Sequence, residues 1–512
     1  MRSFVAPLLA VSVFSCAVPA AAAPERPAHV TVRFAPGLGE LHGRLLLFAA
    51  RTAPPRGELE PSYLHPRAVE ILGVEVHGAP AGSSIELPVD GDAYPTPWRA
   101  LAPGRYVVRA ELDVRHRYTY DGGQPGDPDS GNLTVTLAPG ADVTVNVRAR
   151  RGPEPVPPRF RAPEPQGARM ETFVSPALSA FFGRPIVMRA YVVPPPGYDV
   201  TASKRYATAY VIGGYGTSDR VLPFAAAARA RLLAKHGGTQ LFYVYLDPHV
   251  PLGHSVFADS VNNGPWGRAL TTELIPYLES RWPLRAQSGA RFLTGHSSGG
   301  WTTMWLQTTY PEVFGGTWST SPDPLDFHDF TGPNLVDRPN GNMYVDAHGK
   351  PYMLVRIAGK DAVPLKDYIL QERALGEYGG QFGSFDAVFG PRGADGRPQP
   401  LFDRTSGQID AAVARAWEAH YDIVHNLVTH WATLGPELRG KLHVYVGTWD
   451  TFHLEAGVHR LHDALAKLPG SDAQTTFVPH RTHFDLYQGP NGGLTVKIDR
   501  AMTAAAKASA NP

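Results

Sequence analysis

The chain holds a single cysteine, Cys16, in 512 residues. No disulfide can therefore form within it and no cysteine-based metal site can be assembled, so stability has to come from core packing. It also lacks an excess of either charge, with 48 Lys plus Arg against 47 Asp plus Glu and a formal net charge of +1. That balance argues against a nucleic-acid partner, which calls for a basic surface. It gives no reason to expect a substrate selected by long-range charge. Beyond the first residues, no run approaches the roughly 20 apolar residues that a transmembrane helix needs. The Gly-rich stretch Ile212-Gly213-Gly214-Tyr215-Gly216 lacks the Lys-Ser/Thr of a phosphate loop and the Gly-x-Gly-x-x-Gly spacing, so nucleotide binding is discounted and no cofactor is expected.

What is present is ample core material, with 43% apolar and 10% aromatic residues in a chain too long for one ordinary domain. Arg2, the apolar run from Phe4 to Val13 and the small residues Ala20 to Ala23 read as a secretory signal over residues 1–22, cut after Ala22. The expected mature protein is soluble and secreted or periplasmic. Lipid attachment at Cys16 is the weaker reading, because Phe14 fits a lipoprotein signal poorly.

From residue 23 to 151 the apolar residues alternate in short runs, such as Val30, Val32, Phe34 and Val143, Val145, Val147, separated by turn-rich spacers. The economical reading is an antiparallel β-sandwich. Tyr94, Trp98, Tyr118 and Tyr120 are candidates there for stacking on a glycan, as exposed aromatic faces do, against the plainer reading of core or turn residues. The prolines of 152–170 suggest a semi-rigid linker. From 171 to 512, strand-like runs (Ala207–Ile212, Leu241–Leu246, Arg291–Thr294) alternate with helical ones, which argues for an α/β domain with a mostly parallel sheet. Between about 326 and 440 that rhythm breaks into loop and helical pieces, as an insertion over the sheet's carboxyl edge would.

The pattern richest in chemistry is Gly295-His296-Ser297-Ser298-Gly299, between an apolar strand and a helix. A serine hydroxyl becomes a nucleophile when a sharp strand-to-helix turn exposes it and a base takes its proton. Small residues two positions either side are needed because side chains would strike the neighbouring elements. Ser297 is thus the candidate nucleophile; Ser298 lacks a glycine two residues before it and more reasonably contributes a backbone donor. In this kind of site the acid and then the histidine follow the serine, each on a loop after a late strand. Asp450, leaving the run Lys441–Val446, is the best acid; Glu455 is a weaker substitute and Asp323 comes early in the order. After the last strand, Thr475–Pro479, two histidines are available as base, His480 and His483. For the oxyanion, the candidate amides are those of Ser298 and of Tyr215 on the glycine-rich loop after an early strand.

These pieces, in this order, resemble the "putative esterase" family of α/β-hydrolases, which includes esterase D, enterochelin, feruloyl and acetylxylan esterases and mycolyltransferases. The resemblance runs from about Phe173 to Ala506. It rests on Tyr191–Asp199, Trp266–Pro276, the elbow Gly295–Gly300 and Tyr310–Gly315. It implies Ser297, Asp450 and His483 as catalytic triad, with Tyr215 and Ser298 as oxyanion donors; the choice of His483 over His480 comes from it. The chain departs from the family pattern at Gly213, at Thr482 and over the long segment 326–440. The expected function is hydrolysis of a carboxylic ester, from a small molecule or a polysaccharide, with acyl transfer by the same residues as the alternative. A metal-dependent hydrolase using His453, His480 and His483 near Asp450 is a further reading, though no His-Glu-x-x-His spacing supports it. A carbohydrate-binding protein with a decayed hydrolase is another.

Overall fold

The computed structural model describes residues 28–55, 57–152, 164–201, 203–338, 341–376 and 379–510. The expected signal segment with Cys16, and most of the proline-rich linker, lie outside the described residues. No helix among the described residues is long and apolar enough to cross a membrane.

The first part of the chain forms two sheets. A seven-stranded sheet is built around Leu41–Ala50, which pairs antiparallel with Glu70–Ala79 on one side and Gly104–Asp113 on the other. Leu45, Leu47 and Ala49 face a three-stranded sheet that contributes Val30, Val32, Phe34, Val145 and Val147. The two sheets pack face to face, as the expected sandwich would, with one correction: His29–Phe34 pairs parallel, not antiparallel, with Asp142–Val147. Leu46 and Phe48 point the other way and are equally buried, packing with Ile71 against Ala374 and Leu375 of the later insertion. Burial on both faces explains why this strand reads as a continuous apolar run and not as an alternation.

A second correction concerns the four aromatics considered for glycan stacking. Tyr94, Trp98, Tyr118 and Tyr120 are only 3–5% exposed. They are core residues, so no sugar can stack on them.

The second part carries an eight-stranded sheet. Its strands are β1 (Arg169–Val174), β2 (Val187–Val193), β3 (Thr208–Ile212), β4 (Phe242–Leu246), β5 (Arg291–His296), β6 (Gly316–Thr320), β7 (Leu442–Gly447) and β8 (Gln474–Val478). Their spatial order is β1-β2-β4-β3-β5-β6-β7-β8. β2 runs antiparallel to β1 and β4, and every pairing from β4 to β8 is parallel. Parallel strands need crossover connections, and the helices that supply them cover both faces of the sheet. Leu222–Ala234 and Gly493–Ala508 pack on one face, the helical stretch from Trp266 to Arg281 on the other. The strand order reverses beside β3, so the loops leaving β3 and β5 flank a crevice at the sheet's carboxyl edge, where ligands bind in open α/β sheets. Helix α1 (Ser298–Thr309) follows β5 directly.

The segment 326–440 lies between β6 and β7 and has its own architecture. A hairpin, Met353–Ile357 with Lys360–Pro364, leads into α2 (Leu365–Leu375) and α3 (Gln381–Phe389), then Ala411–Tyr421 and Ile423–Leu438. Phe327, Phe330, Phe385, Phe389 and Trp417 form its aromatic core. The sandwich is joined to this insertion. Arg67 makes a two-pronged ion pair with Asp367 at 2.7 and 2.9 Å, and the Arg44 guanidinium donates to the Ala374 carbonyl at 2.9 Å.

Candidate active site

Ser297 alone makes the turn between β5 and α1, with φ 60° and ψ −125°. A non-glycine residue is strained there, and a turn this sharp lifts the side chain clear of both elements. The flanking glycines are required by contact. A Cβ on Gly299 would fall 2.1 Å from the Ile212 carbonyl oxygen at the end of β3, and one on Gly295 would fall 2.2 Å from the Gly299 oxygen.

The loop leaving β3 lies against the serine. A Cβ on Gly214 would come within 2.9 Å of the Ser297 Cβ, so this approach is open only to glycine. His254 holds the loop from behind: its Nδ1 accepts the Val256 N–H at 3.0 Å, which leaves the proton on Nε2 to donate to the Gly213 carbonyl at 3.1 Å. Burial pushes this imidazole down to about 4, so it stays neutral in that role. The Ser298 N–H belongs to the first turn of α1, where no intrahelical acceptor exists and the helix dipole is positive. Among the described residues, neither the Tyr215 nor the Ser298 amide donates to a protein group.

Asp450 and His483 come from different strands and meet. Asp450, on the loop after β7, is fully buried, and its Oδ2 lies 3.0 Å from Nδ1 of His483, on the loop after β8. Its other oxygen accepts the Phe452 N–H at 2.9 Å. Burial raises the Asp450 carboxyl, but the imidazole's charge and hydrogen bonds outweigh it and hold the group below its ordinary value. With Nδ1 occupied, Nε2 of His483 is the nitrogen left for chemistry. His483 and Ser297 line one cavity, though no hydrogen bond joins their side chains among the described residues. Such bonds are often long in the absence of substrate and tighten in the reacting complex. His296 packs beside His483 with ring centroids 4.3 Å apart, and burial pushes it down to about 3, so it does not compete as a base.

The alternatives are otherwise engaged. Glu455 pairs with Arg356 at 2.9 Å, and His480 packs on Trp449. His453 accepts from Arg356 and does not join His480 and His483 in a ligand set. Among the described residues, the one group spaced closely enough for a cation is Asp326, His328 and Asp422. Its oxygens already accept from Arg460 and from the Phe327 and His425 amides.

Asp323, set aside in the sequence for its early position, is brought to Ser297. The Ser297 carbonyl accepts the Asp323 N–H at 3.2 Å, which folds the loop after β6 onto the elbow. The carboxylate then accepts from the Ser298 hydroxyl at 2.6 Å and from the Ser297 hydroxyl at 3.4 Å. Burial pushes it up to about 6, against the pull of the Ser298 hydrogen bond. The one available signal was its place on the loop before the insertion, three residues after the strand Gly316–Thr320.

The cavity over Ser297 measures about 370 Å³. The insertion lines it with Phe330, Leu354, Tyr368, Phe382 and Phe385, the loops after β7 and β8 with Phe452, Leu454 and Phe484, and the sandwich with Tyr63 and Leu64. Beyond Asp323 and the histidines, its lining side chains carry no ionisable carboxylate or cation.

A family model described as "Putative esterase" matches residues 187–327, the segment that contains the β3 loop, the elbow and Asp323. No curated protein sequence matches the chain. Among solved structures, a ferulic acid esterase is similar at 13% identity and TM-score 0.41, the alignment covering 67% of this chain and 99% of that one. A fluorophosphonate-binding serine hydrolase of Staphylococcus aureus aligns at 14% identity and TM-score 0.39, over 67% and 99%. An S-formylglutathione hydrolase of the same organism aligns at 14% and 0.38, over 66% and 98%.

Proposed function

We propose that this chain, whose residues 187–327 match an esterase family model, cleaves a carboxylic ester with a bulky, uncharged acyl group by way of an acyl-enzyme on Ser297. The observation that carries the reading is the buried Asp450–His483 pair, which opens into the cavity where Ser297 is raised on its turn. Asp450 fixes the imidazole tautomer and stabilises the imidazolium. His483 Nε2 takes the Ser297 proton as Oγ bonds to the ester carbonyl carbon. The carbonyl oxygen, now negative, receives the Tyr215 and Ser298 N–H groups. Loss of one such donor typically costs about 3 kcal/mol of transition-state stabilisation.

Collapse of the tetrahedral species expels the alcohol, which leaves with the proton held on His483. Water, deprotonated by the same nitrogen, then attacks the acyl-enzyme and releases the acid. The apolar, aromatic walls suit a neutral acyl chain or ring, because a charged acyl group would lose its hydration there without a partner. The signal-like first residues support export, which fits an extracellular ester such as an acylated polysaccharide, a siderophore or a polyester. Transfer of the acyl group to an alcohol would follow the same steps, and product analysis with added alcohol separates the two.

The test is a panel of aryl esters of increasing acyl length, with methyl ferulate and acetylated xylan, run on the native chain and on Ser297→Ala. Turnover and covalent labelling by a fluorophosphonate are expected to vanish together in the variant. Undiminished hydrolysis by Ser297→Ala would end the proposal.

A further inference from the structure

The cavity over Ser297 is not closed by the α/β part and its insertion alone, and we propose that the β-sandwich supplies specificity: Tyr63 and Leu64 form a wall of the acyl pocket and determine which acyl groups are accepted. The inference rests on the reading of Ser297 as nucleophile acting into this cavity.

Both residues lie on the loop between the sandwich strands Leu41–Ala50 and Glu70–Ala79, more than 200 positions before the elbow in sequence, yet both line the same cavity as Ser297 and His483. Their placement is fixed from several sides. The Tyr63 ring stacks on Tyr368 of α2, with centroids 4.5 Å apart and planes 29° from parallel. The Tyr368 hydroxyl in turn donates to Gln381 of α3 at 3.0 Å. Three residues after Leu64, Arg67 clamps the loop to Asp367 of the same helix α2. A loop so held loses little further freedom when an acyl group packs against it, which is what a specificity wall requires.

The same module also touches the oxyanion loop. The Tyr215 hydroxyl lies 2.8 Å from the Thr119 carbonyl, toward which the Tyr63 hydroxyl also points at 3.5 Å. The Tyr120 hydroxyl donates to the Thr217 carbonyl at 2.6 Å. Thr119-Tyr120 of the sandwich thus touches both the wall and the loop that bears the oxyanion donor, whose Tyr215 hydroxyl also lies 2.6 Å from the Gly379 carbonyl of the insertion. An acetyl group ends close to Ser297, whereas the far end of a long acyl chain needs a surface to lie on. Removing the Tyr63 ring takes contact from the second and not from the first.

The experiment uses the full chain. kcat/KM is measured for p-nitrophenyl acetate and p-nitrophenyl octanoate on the native protein, Tyr63→Ala, Tyr63→Phe and Leu64→Ala, with fluorophosphonate titration counting the competent sites. The octanoate-to-acetate ratio is expected to fall roughly tenfold in Tyr63→Ala, mainly through KM for the octanoate. Leu64→Ala is expected to lower it in the same sense, while Tyr63→Phe, which keeps the stacked ring, restores the native ratio. Should Tyr63→Ala fail to fold, Leu64→Ala carries the test. A ratio within twofold of native in the alanine variants, or a Tyr63→Phe ratio as low as that of Tyr63→Ala, overturns the proposal while Ser297→Ala remains dead. Full turnover by Ser297→Ala overturns instead the catalytic reading on which it rests.

Discussion

Replacing Asp323 by Asn removes a buried charge beside Ser297 while keeping the side chain's shape and one acceptor oxygen for the Ser298 hydroxyl. Burial moves this carboxyl from an ordinary 3.8 to about 6 in the folded protein. A shift of that size corresponds to roughly 3 kcal/mol, at 1.36 kcal/mol per pH unit. The sign follows from linkage. A carboxyl raised on folding binds its proton more tightly in the native than in the unfolded state, so its contribution to stability is complete below its unfolded value and is lost as pH rises through about 6. The asparagine variant does not titrate there. Its stability relative to the native protein should therefore rise by up to about 3 kcal/mol between pH 4 and pH 7.5 and stay level above, the other groups cancelling in the difference. Urea unfolding followed by tryptophan fluorescence at a series of pH values reads this directly. A stability difference that does not change with pH would refute the claim that Asp323 sits ionised at a cost beside Ser297.

Two further outcomes follow from the site. Asp450→Asn should leave the fold in place but allow the wrong imidazole tautomer, lowering kcat by about 10⁴; a loss of less than tenfold in steady-state assays would remove Asp450 from the triad. Gly299→Ala drives a Cβ to 2.1 Å from the Ile212 carbonyl and 2.5 Å from that of Gly213. Because both contacts are backbone and cannot swing away, a loss of roughly 4 kcal/mol or more is expected together with loss of fluorophosphonate labelling, and a native melting temperature with full labelling would contradict the packing described.

Local chemistry in the chain spelled out the elbow. The spacing of Gly295, Ser297 and Gly299 reflects a steric need that any strand-turn-helix of this kind must meet, so it is readable without coordinates. The strands of the second sheet were legible for a similar reason: a parallel strand buried on both faces must be apolar throughout, as Phe242–Leu246 is. Asp450 could be picked because it follows a late strand, while the loop after the next strand offered both His480 and His483 and only the family resemblance chose between them; the structure brings Asp450 and His483 into contact at 3.0 Å.

Periodicity, however, records that a residue is buried and not what buries it. Tyr94, Trp98, Tyr118 and Tyr120 look alike whether a glycan or the protein covers them, and here the protein does. The parallel pairing of His29–Phe34 with Asp142–Val147 joins segments about a hundred residues apart, and no local signal sets its direction. Asp323 and Tyr63 gained their places in the same way. One is folded onto the elbow by a backbone hydrogen bond from its own amide to Ser297, the other carried to the cavity by the docking of the sandwich on the insertion. By itself the sequence determined the turn at Ser297 and the loops that carry Asp450 and His483, because those are constraints between near neighbours or consecutive elements. Which carboxylate lies beside the serine, and which module closes the pocket, depended on contacts between distant segments, and these exist only once the whole chain has packed.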